Sequence, residues 1–107
     1  MELVQYQIVL VNLDPTIGSE IKKTRPCLII SPKELNKYLK TIVIAPLTSN
    51  LKSYPTRVLI HHNNQKGTVV LDQIRTIDRK RIVKILGEIS HKEITQVKNI
   101  LRETYVD

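Results

Sequence analysis

Six short segments rich in β-branched residues recur along the chain, and they constrain its fold more than any other feature. No uninterrupted apolar run exceeds four residues, whereas a membrane-spanning helix needs about 18–20. Several segments are continuously apolar instead of alternating, which predicts a sheet covered on both faces, either by a helix or by a second copy of the chain. The predicted strands are Gln7–Leu13, Cys27–Ser31, Thr41–Ala45, Thr56–Ile60, Thr68–Leu71 and Val83–Leu86.

Two stretches have the spacing of a helix capping box. Ser31-Pro32-Lys33-Glu34 predicts a short helix over Pro32–Leu39. Ser90-His91-Lys92-Glu93, followed by apolar residues at helical spacing, predicts a terminal helix from His91 to about Tyr105. Asp78–Arg81 fits either a turn of helix or a solvated loop. These elements predict a mainly β, α+β fold: a small curled antiparallel sheet, closed or nearly closed as a barrel, with a short inserted helix and a C-terminal helix.

The chain length and the cysteine content narrow the class of protein. A chain of 107 residues without internal repeat or linker predicts a single domain over residues 1–107. The first residues lack a basic leader and a long apolar stretch, so we expect a soluble cytoplasmic protein. Cys27 alone forms neither an internal disulfide nor a zinc site, and on an apolar strand it is expected to be a buried small hydrophobe.

The net charge points to an anionic partner. Seventeen Lys and Arg against ten Asp and Glu give a formal charge of +7, which favours RNA or DNA through counterion release. The alternative is a basic protein with no specific partner. The aromatic residues are four tyrosines, without Phe or Trp, so a continuous base-stacking platform is not expected. Hydrogen bonds and phosphate contacts would then do most of the binding.

Three polar blocks follow or precede apolar strands, which is how a rigid sheet commonly presents a functional site. The first, residues 14–26, is long for a link between strands and ends at Arg25, which precedes a proline and is therefore held extended. A plain surface loop is the alternative for this block. The other two blocks are Pro46–Asn50 and Asp72–Asp78.

Together the blocks resemble a known family in order and spacing. The residues concerned are Val11-Asn12-Leu13-Asp14-Pro15-Thr16-Ile17-Gly18-Ser19-Glu20, Thr24-Arg25-Pro26, Pro46-Leu47-Thr48-Ser49 and Asp72-Gln73-Ile74-Arg75-Thr76-Ile77-Asp78. They resemble the MazF/PemK family of toxin endoribonucleases over nearly the whole chain. The resemblance implies an SH3-like barrel shared with the gyrase poison CcdB, a homodimer and a cognate antitoxin. It also implies cofactor-free, metal-independent cleavage of single-stranded RNA at short sequence motifs.

The resemblance assigns roles to individual residues. It places the phosphate-facing arginine on Arg25, the active-site threonine on Thr48 and the glutamate of the Gly-Ser-Glu turn on Glu20. Residues of the three blocks are expected to bind RNA, namely Ser19, Lys22, Lys23, Thr24, Ser49, Asp72, Gln73 and Arg75. The chain departs from the family pattern at three places: Ser19, where some relatives carry histidine, Gln5-Tyr6-Gln7, and Val70, where some carry a basic residue.

Metal-free RNA cleavage needs a base for the 2′-hydroxyl, positive charge for the phosphorane and an acid for the leaving oxygen. Arg25 suits the second role because its guanidinium stays charged and presents a planar fork to phosphate oxygens. Thr48 is a poor proton acceptor, so we expect it to position the phosphate. Glu20 is the candidate base by elimination, although Lys22 and Arg25 beside it would lower its pKa and weaken it. In the alternative, Glu20 orients Arg25 and catalysis is mainly electrostatic.

The remaining candidates have structural interpretations. His61 and His62 are adjacent on a strand and point to opposite faces, so we expect hairpin-edge residues and not a shared metal site. His91, next to a helix cap, is expected to be exposed. The basic run Arg75, Arg79, Lys80, Arg81 and Lys84 fits an RNA-approach surface, a contact for an acidic antitoxin tail or a solvated face. A CcdB-like topoisomerase poison and a non-catalytic RNA-binding barrel are the two alternatives to a nuclease.

Overall fold

The computed structural model of the chain describes residues 2–13, 23–52 and 54–107. Within these ranges the chain forms seven strands, two α-helices and two short 3₁₀ turns at Leu71–Gln73 and Arg79–Arg81. The strands are β1 (Gln7–Asn12), β2 (Thr24–Ile29), β3 (Thr41–Thr48), β4 (Arg57–His62), β5 (Gln65–Val70), β6 (Arg75–Asp78) and β7 (Ile82–Glu88). The helices are α1 (Lys33–Tyr38) and α2 (His91–Tyr105).

The strands form one curled antiparallel sheet in the order β4-β5-β3-β2-β1-β7, and β6 pairs with β3. Strand β3 is shared between neighbours along its length. Its first half pairs with β6, and its middle pairs with β2 as far as Pro46. Its last two residues, Leu47 and Thr48, pair with β5 instead. The sheet therefore divides at Pro46, where β2 and β5 separate on either side of β3.

Two buried apolar clusters lie on opposite faces of the central strands. Ile8, Leu28 and Ala45 belong to the cluster that packs against Val97 of α2. Their neighbours on the same strands, including the fully buried Cys27, belong to the second cluster. Alternate residues thus reach different clusters, which explains why the strands are continuously apolar. The predictions that both sheet faces are covered and that Cys27 is buried are confirmed.

Of the two predicted capping boxes, one is confirmed and one is wrong. Ser90 Oγ accepts from the Glu93 backbone N–H at 3.2 Å, and Glu93 Oε1 accepts from the Ser90 N–H at 2.9 Å. Ser31 does not cap α1, because its hydroxyl donates to the buried Asn36 side chain and accepts from the Val43 N–H at 3.1 Å. A buried amide needs hydrogen-bond partners, and that requirement outweighs the helix cap.

The predicted fold class is confirmed: the described residues are mainly β, with a short inserted helix and a long C-terminal helix. Several strand boundaries differ from the prediction, and one strand was not predicted. β2 begins at Thr24 because Pro26 occupies a strand position opposite Leu10 of β1, and β3 continues through Pro46 to Thr48. β6 was not predicted as a strand, because its alternating charged residues resemble a loop.

The helical turn considered near residue 78 is present as a 3₁₀ turn. Its N-cap is Asp78, whose Oδ1 accepts from the Lys80 N–H at 2.8 Å. Among the described residues, no helix combines the length and the apolar character that a membrane crossing requires.

Candidate active site

A cleft of about 510 Å³ opens where β3 leaves β2 and joins β5. The last residues of β3 and the first of β2 form one part of its wall, and the β4–β5 hairpin forms another. Arg25 and Thr48 both line this cleft. Two of the residues that the family resemblance placed at the reaction centre are therefore brought together, although 23 positions separate them in the sequence.

The backbone around Arg25 is fixed on both sides. Arg25 pairs with Val11 of β1, and the following Pro26 restricts its backbone to the extended region. Cys27 pairs with Pro46 in antiparallel register, so Arg25 and Thr48 each lie two residues beyond that pair. Residues two apart on a strand point to the same face, which places both side chains on one side of the sheet. The Arg25 side chain is exposed and can meet a ligand from solvent.

Thr48 is the last residue of β3, and its side chain is half-buried. Its Oγ1 accepts from the Asn50 backbone N–H at 3.2 Å. A hydroxyl that accepts in this way still has its own proton to donate. Thr48 can therefore donate a hydrogen bond to a phosphate oxygen while the turn after β3 holds it in place.

The other predicted site residues divide into three groups. Thr24 and Ser49 also line the cleft. Lys23 is exposed and does not line it, while Asp72, Gln73 and Arg75 lie outside it on or beside the turn between β5 and β6. The predictions for Ser19, Glu20 and Lys22 lie outside the described residues.

Asp72 has a structural contact instead of a position in the cleft. Its Oδ1 accepts from the Thr56 hydroxyl at 2.9 Å, which ties the turn after β5 to the start of β4. Next to Thr56, Arg57 stacks on the Tyr54 ring with 4.5 Å between the guanidinium carbon and the ring centroid. Asp72 and its exposed neighbour Gln73 thus belong to a polar surface beside the cleft.

Arg75 extends the positive charge of the site. It pairs with Ile44 on β3. Burial raises the pKa of the Cys27 thiol to about 11, and the charges of Arg25 and Arg75 oppose that rise. Both guanidinium groups are therefore near the Cys27 sulfur, on the same side of the sheet. The rest of the predicted basic run is partly structural, because Arg79 donates to the carbonyls of Asn36 and Leu39.

His62 lines the cleft, although sequence reasoning treated it only as a hairpin edge. The prediction that these adjacent histidine side chains point to opposite faces of the strand is confirmed. His61 is exposed, with Nδ1 at 3.9 Å from a carboxylate oxygen of Glu93, whereas the half-buried His62 contacts Gly87 of β7. The alternation of side chains along the strand could be predicted from the sequence, but the contact between His62 and β7 could not. His91, as predicted, is exposed at the start of α2.

The charged residues that line the cleft in the described ranges are Arg25 and Lys66, with His62 as the further titratable group. No Asp or Glu from those ranges lines it. Across residues 2–13, 23–52 and 54–107, no three His, Cys, Asp or Glu side chains form a group that could hold a metal ion. The part of the cleft that the structure describes is therefore suited to an anion.

Comparisons with known proteins agree on one family. A family model described as a PemK-like, MazF-like toxin of type II toxin–antitoxin systems matches residues 4–105. Endoribonuclease MazF of Staphylococcus epidermidis is 35% identical over 100 residues, covering 88% of this chain and 83% of that protein. The crystal structure of MazF from Deinococcus radiodurans has a TM-score of 0.79 at 28% identity and covers 96% of each chain. A MazE–MazF structure from the same organism has a TM-score of 0.81 at 28% identity, covering 96% of this chain and 95% of that one.

Proposed function

We propose that this chain, which belongs to the PemK-like, MazF-like toxin family of type II toxin–antitoxin systems and is an endoribonuclease, cuts single-stranded RNA without a metal ion. In this proposal the ribose 2′-hydroxyl attacks the adjacent phosphorus, and the bond to the 5′-oxygen breaks. The products are a 2′,3′-cyclic phosphate and a 5′-hydroxyl. Cleavage is sequence-specific and occurs in the cytoplasm.

The observation that carries the proposal is the meeting of Arg25 and Thr48 at one cleft. Arg25 neutralises the charge that develops on the phosphorane, and its planar fork matches two phosphate oxygens. The Thr48 hydroxyl donates to the same phosphate and fixes its position. Such donors act strongly when they are held in place before the substrate arrives.

The other predicted residues bind the RNA on either side of the scissile phosphate. Thr24 and Ser49 supply hydroxyl groups within the cleft. Outside it, Arg75, Asp72 and Gln73 offer a charged and hydrogen-bonding surface for further nucleotides. Ser19, Lys22 and Lys23 keep their predicted role in RNA binding. Glu20 also stays a prediction from the sequence, either as the base or as the group that orients Arg25.

The proposal includes two protein partners. A MazE–MazF structure matches this chain over most of its length, which supports a cognate antitoxin that binds this toxin and inhibits it. The family resemblance also supports a homodimer. A CcdB-like topoisomerase poison is not favoured, because the relatives reported above are endoribonucleases or structures of MazF.

Incubating the purified protein with a long single-stranded RNA in EDTA tests the proposed function. We expect discrete fragments that carry cyclic phosphate and 5′-hydroxyl ends, and far fewer of them in the same time with the Arg25→Ala variant. RNA that is retained but intact would contradict cleavage and favour a binding protein. Intact RNA together with stalled DNA supercoiling would favour a topoisomerase poison.

A further inference from the structure

We propose that His62 is the general base of the cleavage reaction, taking the proton from the attacking 2′-hydroxyl. This inference rests on the proposed function and deepens it. It assigns the proton-transfer role to a residue that the family motifs do not include. The position of the His62 ring, its unpaired nitrogen and the charges of the cleft support this role.

The backbone holds His62 in a fixed position. It pairs with Gln65 at the end of the β4–β5 hairpin. The two loop residues, Asn63 and Asn64, have φ values of 50° and 62°. Positive φ at both positions is the geometry of a tight type I′ turn, whose twist matches that of the flanking strands. His62 therefore projects from a rigid strand end and not from a mobile loop.

The His62 ring also lies between the two ends of the curled sheet. β4 and β7 are the outer strands of the sheet order, and they are not neighbours in it. The ring packs so closely on Gly87 of β7 that a Cβ there would collide with its Cε1 atom. Gly87 has a φ of 156°, at the limit of what other residues adopt. The missing side chain at Gly87 leaves the space that the His62 ring occupies.

One ring nitrogen of His62 has no partner in the structure. Nε2 is buried and forms no hydrogen bond. A buried polar atom without a partner costs stability, about 1–3 kcal/mol in typical cases, so an unmet hydrogen bond of this kind calls for an explanation. A substrate hydroxyl supplies the missing partner when the ring moves enough to expose Nε2 to the cleft.

Within the described ranges, the cleft has no carboxylate that could act as the base in place of the imidazole. Among the described residues, the charged groups that share the cleft are the cations Arg25 of β2 and Lys66 of β5. β1 contributes Ile8, β7 contributes Leu86 and Gly87, and β3 contributes no titratable group. A neutral imidazole can accept a proton near pH 7, which a threonine hydroxyl cannot do effectively.

The proposed step is balanced without any further reactant. The imidazole nitrogen takes the 2′-hydroxyl proton as the bond from O2′ to phosphorus forms. The bond from phosphorus to O5′ then breaks, and O5′ takes up a proton. Imidazolium returns its proton to solvent or to that leaving oxygen, so the enzyme ends unchanged.

Single-turnover cleavage of a short RNA in EDTA, measured from pH 5 to 9, tests the assignment. We expect His62→Gln to cut about 10²–10⁴-fold more slowly than the wild type at neutral pH. The rise in rate with pH that reports an ionising base should also disappear. His61→Gln is the matched control, because it makes the same change one residue away and outside the cleft; it should keep the wild-type rate and profile.

Two further measurements test whether His62 acts as a general base, as a residue that only packs, or as a general acid. Binding of the same oligonucleotide with a 2′-deoxy residue at the cut should be unchanged in His62→Gln, because folding and the phosphate contacts remain. An RNA with sulfur in place of the leaving 5′-oxygen needs no acid, and His62→Gln should remain slow on it.

Several outcomes would overturn the proposal. His62→Gln with the wild-type rate and pH profile would do so while leaving the proposed function intact, as would full recovery on the sulfur substrate. Loss of the pH-dependent rise in Glu20→Gln but not in His62→Gln would assign the base to Glu20. A wild-type protein that fails to cut RNA would remove the proposed function and this inference together.

Discussion

Arg25 combines a rigid backbone with an exposed charge. The strand pairing with Val11 and the following proline fix where its side chain begins. Because the side chain is exposed, replacing it removes few packing contacts. The effect of a mutation at this position therefore reports on chemistry more than on stability.

We expect Arg25→Ala to lower the single-turnover rate of RNA cleavage by about 10²–10³-fold, as the loss of one preorganised donor commonly does. Arg25→Lys should recover only part of the rate, since an ammonium keeps the charge but not the planar fork. Lys33→Ala, which removes one exposed charge on α1, serves as the control. An Arg25→Ala protein as fast as this control would contradict the assigned role.

The buried thiol of Cys27 predicts how the free energy of unfolding changes at high pH. Its thiol pKa is raised from 9.0 to about 11 in the folded protein, with burial as the main cause. Below pH 9 the thiol is protonated in both states, so it adds no pH dependence. Between pH 9 and 11 only the unfolded chain ionises, and the free energy of unfolding should fall by roughly 1.4 kcal/mol per pH unit from this group. Urea unfolding across that range, compared with Cys27→Ala, measures the difference in slope; equal slopes would contradict it.

At the scale of elements, Glu93 joins α2 to the sheet as well as capping the helix. One carboxylate oxygen accepts from the Ser90 N–H, and the other accepts from the His61 N–H of β4 at 2.8 Å. Burial alone would raise the pKa of Glu93, but these hydrogen bonds outweigh it and leave the pKa lowered. The stabilisation is therefore present above pH 4.5, the ordinary value, and is lost as the pH falls through the folded value.

We expect Ser90→Ala to lower the free energy of unfolding by about 1 kcal/mol, which is typical for the loss of a cap. Glu93→Ala should cost more, since it also leaves the His61 N–H without its partner, a loss of about 1–3 kcal/mol if that group stays dry. Thermal unfolding of both variants at pH 7 and pH 4 checks the order. The difference between wild type and Glu93→Ala should shrink at the lower pH; a constant difference would contradict the carboxylate's role.

The elements also show how far sequence alone could reach. α2 was predicted with its start at His91 and its end near Tyr105 because its capping box and apolar stripe are local signals. Ser31 has the same local pattern, but the buried Asn36 competes for its hydroxyl from within the fold. Thr48 was expected after a strand and not within it, since Pro46 in a sequence commonly ends one. In the structure β3 exchanges β2 for β5 just after Pro46, so the missing N–H there is tolerated.

The site residues also divide into those that the sequence predicted and those that it did not. Arg25 and Thr48 were predicted from recognisable blocks, and their common cleft follows from the register of β2 and β3. His62 was missed as a site residue because its contact with Gly87 depends on the curl that brings the sheet edges together. Such long-range closeness has no signal in a single sequence.

For the whole molecule, the formal charge of +7 predicts RNA binding that weakens with salt. Each phosphate contact on a single strand contributes a slope of about −0.7 to the logarithm of the binding constant against the logarithm of salt concentration. We expect Arg75→Gln to reduce the slope by about that amount for an uncleavable RNA, with the cleavage rate at saturation unchanged. Binding measured between 50 and 300 mM salt checks this; an unchanged slope would place Arg75 away from the phosphate path.

The proposed active site depends most on one contact, that of the scissile phosphate with Arg25 and Thr48. A crystal structure with an RNA oligonucleotide that carries a 2′-deoxy residue at its mapped cut tests it directly. We expect the scissile phosphate in the cleft, within hydrogen-bond distance of the Arg25 guanidinium and of Thr48 Oγ1. A phosphate bound elsewhere, with both side chains free of it, would contradict the assignment of this cleft as the active site.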